Sequence, residues 1–300
     1  MAEVIAFSGS RGWIEDNWDG RDHPFTSTAE PPYRTSTNLR EGENKQYWLS
    51  EVYHQGNLSS CVANATAAAY YFELKKELAA KKLDRELFLP SRLFIYRIAR
   101  NSPKRNGPIK DSGCMTRNAM RSLEKVGLCA EGAWPYLEPA VNENPREAAY
   151  KEAEKHKILK YERLDIQRRP EDEARMTDVE KDKDGKHVLD VLRQCLLESH
   201  PVVIGFLYYW PAPAWTKVEP EGLSKLPALT TPKHSKPPRD ENGKSYGGHA
   251  VVAVGYDDER QLVRCLNSWG DEYGEFWMPY QWVTDFKATN DFWMLRLVRA

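Results

Sequence analysis

The chain has 300 residues, 41% hydrophobic and 29% charged, the composition of an ordinary water-soluble globular protein and not of a disordered or fibrous one. Its 43 Lys and Arg nearly cancel its 44 Asp and Glu, so no net field draws it to nucleic acid or an anionic membrane, and neither is expected as a partner. It has neither a run of eighteen apolar residues nor a basic start followed by an apolar stretch, which predicts a soluble, non-secreted, cytoplasmic protein, taken here as a monomer.

Cys61, Cys114, Cys129, Cys195 and Cys265 are odd in number and scattered, so at least one thiol stays free within a monomer. There is no C-x-x-C pair and no histidine at metal-ligand spacing, and neither a metal nor a cofactor is expected. Most of these thiols read as small interior hydrophobes.

In chain order, residues 1–45 are rich in Gly, Pro, Asp, Ser and Thr and predict an arm that wraps a domain, pinned by the aromatics of WIEDNWDGRDHPF. Residues 61–82 carry apolar groups at helical spacing with no Gly or Pro, and 90–101 and 116–127 read as shorter helices. Residues 141–186 predict a helix followed by a charge-dense, solvated surface excursion, and HVLDVLRQCLLES predicts an amphipathic helix. From there the pattern becomes short, aromatic and β-branched: PVVIGFLYYW, HAVVAVGYDD, QLVRCLNSWG, GEFWMPY and DFWMLRLV read as strands. Pro- and Lys-rich 211–245 reads as a long exposed loop. The first half is thus mostly helical and the second mostly strand.

Cys61 opens the long helix directly after Ser59 and Ser60. With either serine as N-cap, the sulfur falls where unpaired N–H groups and the helix dipole favour a thiolate. Six residues earlier, the Gln55 amide is placed to donate to a developing negative charge. On this stretch alone a buried structural cysteine explains the residue at least as well. Six of the seven histidines, His23, His54, His156, His187, His200 and His234, have charged, polar or proline neighbours and read as surface or capping residues. His249 differs, since it follows Gly247 and Gly248 and opens the apolar strand AVVAV. Asn267, in NSWG, supplies a carbonyl able to fix the imidazole tautomer, and Trp269 can shield that bond from water.

The ordered set of Q-x5-C at a helix start, GGHAVVAVGY, then NSWG and a Gly-aromatic strand, resembles the papain family of cysteine peptidases over residues 46–300. The stretch DSGCMTRNAMRSLEKVGLCAEGAWPY is similar to the family's segment from the groove glycines to its aromatic-Pro-Tyr turn. The resemblance implies an α+β two-lobe fold: an arm (1–45), a helical left lobe (46–154) and a β-barrel right lobe (155–300), with the active-site groove between the lobes. It implies a cysteine-type endopeptidase acting on peptide or protein substrates through a thioester. Cys61 would be the nucleophile resting as a thiolate beside imidazolium His249, with Asn267 the orienter and Gln55 the oxyanion donor. Ser112, Gly113, Met115, Gly248, Ala250 and Trp269 would line the groove, with Met115 and Ala250 favouring an apolar substrate side chain next-but-one to the cleaved bond. A papain-like acyl transferase and a catalytically silent peptide-binding module are the alternatives.

Two departures stand out. Leu58 and Val62 replace the Cys and Trp that flank the nucleophile in many relatives, so the disulfide supporting the active-site loop is absent, as suits a reducing compartment. Only 60 residues precede Cys61, too few for a long helical pro-domain, and the arm is the segment able to cover the groove instead. RGWIEDNWDGRDHPF is similar to the leading segments of some bacterial papain-like proteins that also lack the disulfide.

Overall fold

A computed structural model describes residues 12–25, 34–101, 109–208, 216–218, 223–226 and 247–297. The 211–245 segment falls mostly outside the described residues. Its described parts are strands β6 (Thr216–Val218) and β7 (Leu223–Lys225), which pair with each other.

Helix α1 (Cys61–Ala79) is the axis of the molecule. Its Cys61–Tyr70 stretch is buried without a break, because Ala63, Ala65 and Ala67–Ala69 are small enough for other elements to approach from every side. Around it stand α2 (Arg92–Ala99), α3 (Thr116–Lys125) and α4 (Glu147–Ala153). Ser91 caps α2 by accepting from Phe94 N, and donates its own hydroxyl to Trp134 O. Phe72 of α1 is fully buried against the rings of Tyr47 and Trp48, at centroid distances of 5.6 and 4.7 Å, and truncating such a side chain costs about 3–5 kcal/mol.

The strands join in one sheet. The short strands are β1 (Trp13–Ile14), β2 (Ser36–Asn38), β3 (Cys114–Met115) and β4 (Lys160–Arg163). The long ones are β5 (Val202–Tyr208), β8 (Gly247–Asp257), β9 (Leu262–Leu266), β10 (Glu275–Pro279) and β11 (Thr289–Arg296). The main path runs β4-β11-β5-β8-β9-β10-β7-β6, an open order among the described residues where a closed barrel was expected. Strand β8 is central, buried on both faces and packed against α1, which is why AVVAV is a continuous apolar run and not an alternating one.

Three expectations change. The charge-dense stretch is not an excursion: α5 (Pro170–Glu173) is followed by α6 (Asp178–Leu197), whose first turns use those charges. Thr177 and Glu180 form a capping box, and Gly185 lies against the Thr284 carbonyl beside α7 (Tyr280–Val283), where a Cβ would come within 2.1 Å. Strand β4 lies in polar sequence whose register is set by β11 and not by its own pattern. His200, read as a surface residue, is buried, with Nδ1 2.7 Å from Glu73 and Nε2 3.0 Å from Arg296.

The arm carries β1 and β2 and is held both by aromatics, with Phe25 packed on the core, and by carboxylates. Trp13 is buried, but Trp18 is 42% exposed. Asp16 accepts from Trp293 Nε1 at 2.9 Å and from the Arg117 amide, and Asp22 pairs with the Arg117 guanidinium. Arg163 reaches Asp16, Asp22, Asp165 and Asp291 together.

Candidate active site

Cys61 is the first residue of α1, as the sequence places it. Ser60 holds the N-cap position but does not cap: its hydroxyl lies 2.5 Å from Tyr136 Oη and accepts from Asn64 Nδ2. The serine therefore braces the loop before Cys61.

On the other side, β8 presents His249. Its Nε2 lies 2.8 Å from Asn267 Oδ1, and Trp269 stacks on the imidazole at 4.7 Å with 23° between planes. Asn267 is held rigidly: Nδ2 donates to Tyr273 O at 3.0 Å and Oδ1 also accepts from the Ser268 amide. With its nitrogen committed, the amide oxygen must face the imidazole, which assigns the proton to Nε2 and leaves Nδ1 as the free nitrogen.

Gln55 joins the lobes. Its Oε1 accepts from Ser268 Oγ at 2.7 Å, its Nε2 donates to Leu58 O at 2.8 Å, and its backbone N–H donates to Ser268 O. Tyr136 Oη donates to Gln55 O. Ser268 and Tyr136 are site residues that sequence reading missed, although Ser268 lies inside the NSWG motif.

The arm crosses this site. Trp13 of β1 pairs in parallel with Cys114 of β3 and antiparallel with Gly248 of β8, so the chain runs as an extra strand between the two lobes. Gly12 lies over Cys61: a Cβ there would stand 2.3 Å from Ser59 O and 2.9 Å from Cys61 Sγ. Gly113, at φ +76°, approaches so closely that a Cβ would meet Gly12 O at 2.3 Å. Met115 is in register with Ile14, while Ser112 is exposed and turns its hydroxyl to Lys110 O.

Cys61 is consequently fully buried and His249 nearly so. Burial pushes the thiol up to about 11, against the pull of the backbone amides of Ala250, Val62 and Gly12. Burial likewise draws His249 down to about 4, opposed by its bond to Asn267. Burial beneath the arm disfavours the charged form of each group and so opposes the ion pair expected from sequence. The Ala250 amide, next along β8 from His249, is among the groups that act on the sulfur, and α1 packs against β8.

No family model matches the chain. An uncharacterized peptidase C1-like protein of Acanthamoeba polyphaga mimivirus is 33% identical over 257 residues, covering 83% of this chain and 70% of the relative. The chain belongs to the peptidase C1 family, the papain-like cysteine peptidases. Among solved structures, the cysteine protease xylellain from Xylella fastidiosa is 31% identical, with a TM-score of 0.70 and 97% coverage of each chain. A digestive procathepsin L2 from Tenebrio molitor larval midgut, at 17% identity and a TM-score of 0.62, shares the fold over 96% of this chain and 78% of its own. The papain-like α+β fold is therefore that of the whole described chain. All five cysteines are free and buried, so no disulfide supports the active-site loop. No described helix is long and apolar enough to cross a membrane.

Proposed function

We propose that this peptidase is an endopeptidase hydrolysing peptide bonds through a thioester on Cys61. The bond from His249 Nε2 to Asn267 Oδ1, roofed by Trp269, carries the reading, since it leaves the other imidazole nitrogen as the base for a thiol at the mouth of α1. The sulfur attacks the peptide carbonyl, and the oxyanion is met by the Cys61 backbone N–H and a Gln55 amide N–H. His249 protonates the leaving amine, and water activated by the same imidazole releases the acyl group.

Residues 1–45 act as an arm that covers the groove, residues 46–154 as the left lobe and 155–300 as the right. A peptide substrate takes the place of β1, pairing with Gly113 and Gly248 beside Ser112 and Met115, with Ala250 and Trp269 near the reacting atoms. The arm strand supports this: the two edges accept an extended chain between them. Catalysis follows displacement of the arm, which rehydrates the thiol and imidazole and lets them exchange a proton. Five free thiols fit a reducing cytoplasm.

The test is cleavage of an unfolded protein substrate with fragments mapped by mass spectrometry, beside labelling with an epoxide thiol probe. Internal cuts and a label on Cys61 are expected, both lost in Cys61→Ala. Activity surviving in Cys61→Ala would refute the assignment, and amide products formed with an added amine would make the enzyme a transferase.

A further inference from the structure

The arm displays the chemistry of the pocket it fills. The Trp13 indole lies in a slot cleared by two glycines: a Cβ at Gly205 of β5 would come within 2.1 Å of its Cε2, and one at Gly248 of β8 within 2.2 Å of its Cε3. Any side chain at either position would close the slot to a flat ring. At its end, Trp13 Nε1 donates to Asp291 Oδ2 at 3.0 Å.

Asp291 is fully buried, in the left-handed region at φ +57°, where the β11 register shifts against β5 between Asn290 and Trp293. Its two oxygens face different parts of the molecule. Oδ1 accepts from Arg163 Nη2 at 2.7 Å, a body residue that also holds Asp165. Oδ2 accepts two donors, Trp13 Nε1 and the Asp16 backbone N–H at 2.8 Å, and both belong to the arm. When the arm leaves, Oδ1 keeps its partner and Oδ2 loses both, and a buried carboxylate oxygen without a donor is costly. An incoming peptide must then supply that donor at the far edge of a flat side chain.

From this geometry we infer that Asp291 is a specificity-determining residue, selecting substrates that place tryptophan, with its planar ring and distal N–H, in the pocket Trp13 now occupies. This narrows the apolar preference expected from sequence to one flat side chain with a distal N–H, and it rests on the groove reading above. Phenylalanine fills the slot but leaves Oδ2 bare. Leucine offers neither planarity nor a donor.

Two measurements on the full chain decide it. Fluorogenic peptides differing only in Trp, Phe or Leu at the residue next-but-one to the cleaved bond should rank Trp first, by roughly tenfold in kcat/KM over Phe, the worth of a hydrogen bond to a charged acceptor. In Asp291→Asn, whose residue type tolerates the left-handed backbone, Arg163 holds the amide oxygen and turns the NH2 toward the slot. Donor then faces donor, and the Trp preference should vanish. Phe or Leu equalling Trp in the native chain, or a Trp preference that survives in Asp291→Asn, overturns the inference. The second measurement needs no turnover: the rate of Cys61 alkylation by iodoacetamide, followed by mass spectrometry. Trp13→Phe should speed alkylation roughly tenfold by weakening the arm's hold, and should change it little in the Asp291→Asn background. An unchanged rate in Trp13→Phe overturns the pocket even if the chain cleaves peptides. A changed rate without any peptide cleavage overturns the peptidase reading and leaves the pocket standing.

Discussion

Ser268 Oγ donates to Gln55 Oε1 across 2.7 Å, binding the residue beside Asn267 to the loop that precedes Cys61. The two are 213 positions apart in sequence, and both are buried. This bond fixes which edge of the Gln55 carboxamide carries its N–H groups, and so, in the proposed mechanism, where they meet the oxyanion.

Ser268→Ala should therefore act through Gln55. The expected result is a fall in kcat of several-fold to about tenfold with KM nearly unchanged, against about a hundredfold or more for Gln55→Ala. The double variant should be no worse than Gln55→Ala alone, because the serine has nothing left to position. Steady-state kinetics on one peptide substrate checks all three.

Gly12 admits no side chain. In Gly12→Ala the new methyl would meet the Ser59 carbonyl at 2.3 Å, and backbone cannot yield as a flexible side chain can. The arm must lift, so turnover of a short peptide and alkylation of Cys61 should both rise several-fold. A rate equal to the native chain's would show that the arm does not limit access.

Burial of the covered pair gives a pH signature. His249 titrates near 6.5 in the unfolded chain and at about 4 beneath the arm, so between these values the unfolded state binds the extra proton. Its contribution is complete above pH 6.5 and declines as pH falls toward 4, by on the order of 3 kcal/mol from this group. Urea midpoints across that range should drop more steeply for the native chain than for His249→Ala. On the alkaline side, Cys61, held up to about 11, should react with iodoacetamide increasingly fast as pH rises through 9 and 10, and Gly12→Ala should move that profile to lower pH.

Thr177→Ala removes one half of the capping box of α6 and should cost about 1 kcal/mol of stability. The box is far along the chain from the triad and touches none of it, so kcat/KM should hold. Thermal denaturation beside a kinetic assay separates the two effects.

The readable parts of the sequence were those whose signal is local. Helices α1, α2 and α3 fell where apolar spacing predicts them, and the five long strands where β-branched and aromatic runs do. The polar elements were not readable in this way. Strand β4 is a strand only because β11 offers it a ladder, and the charges of 178–185 become helix only with the Thr177 cap and close packing at Gly185.

For the site, residue type and order along the chain marked the candidate set: a thiol at a helix start, an imidazole after two glycines and an amide in NSWG, each in a setting that its own neighbours create. Sequence alone could not say that Gly12 would lie on the sulfur, that Trp13 would fill a slot between Gly205 and Gly248, or that Asp291 and Ser268 would meet partners more than two hundred residues away. It also could not show that burial opposes the charged forms of Cys61 and His249, because that depends on a segment that packs over them only in the folded chain. Burial and long-range pairing are properties of the assembled chain, so tertiary structure alone decided which residues line the Trp13 slot and which residue of the arm lies on the Cys61 sulfur.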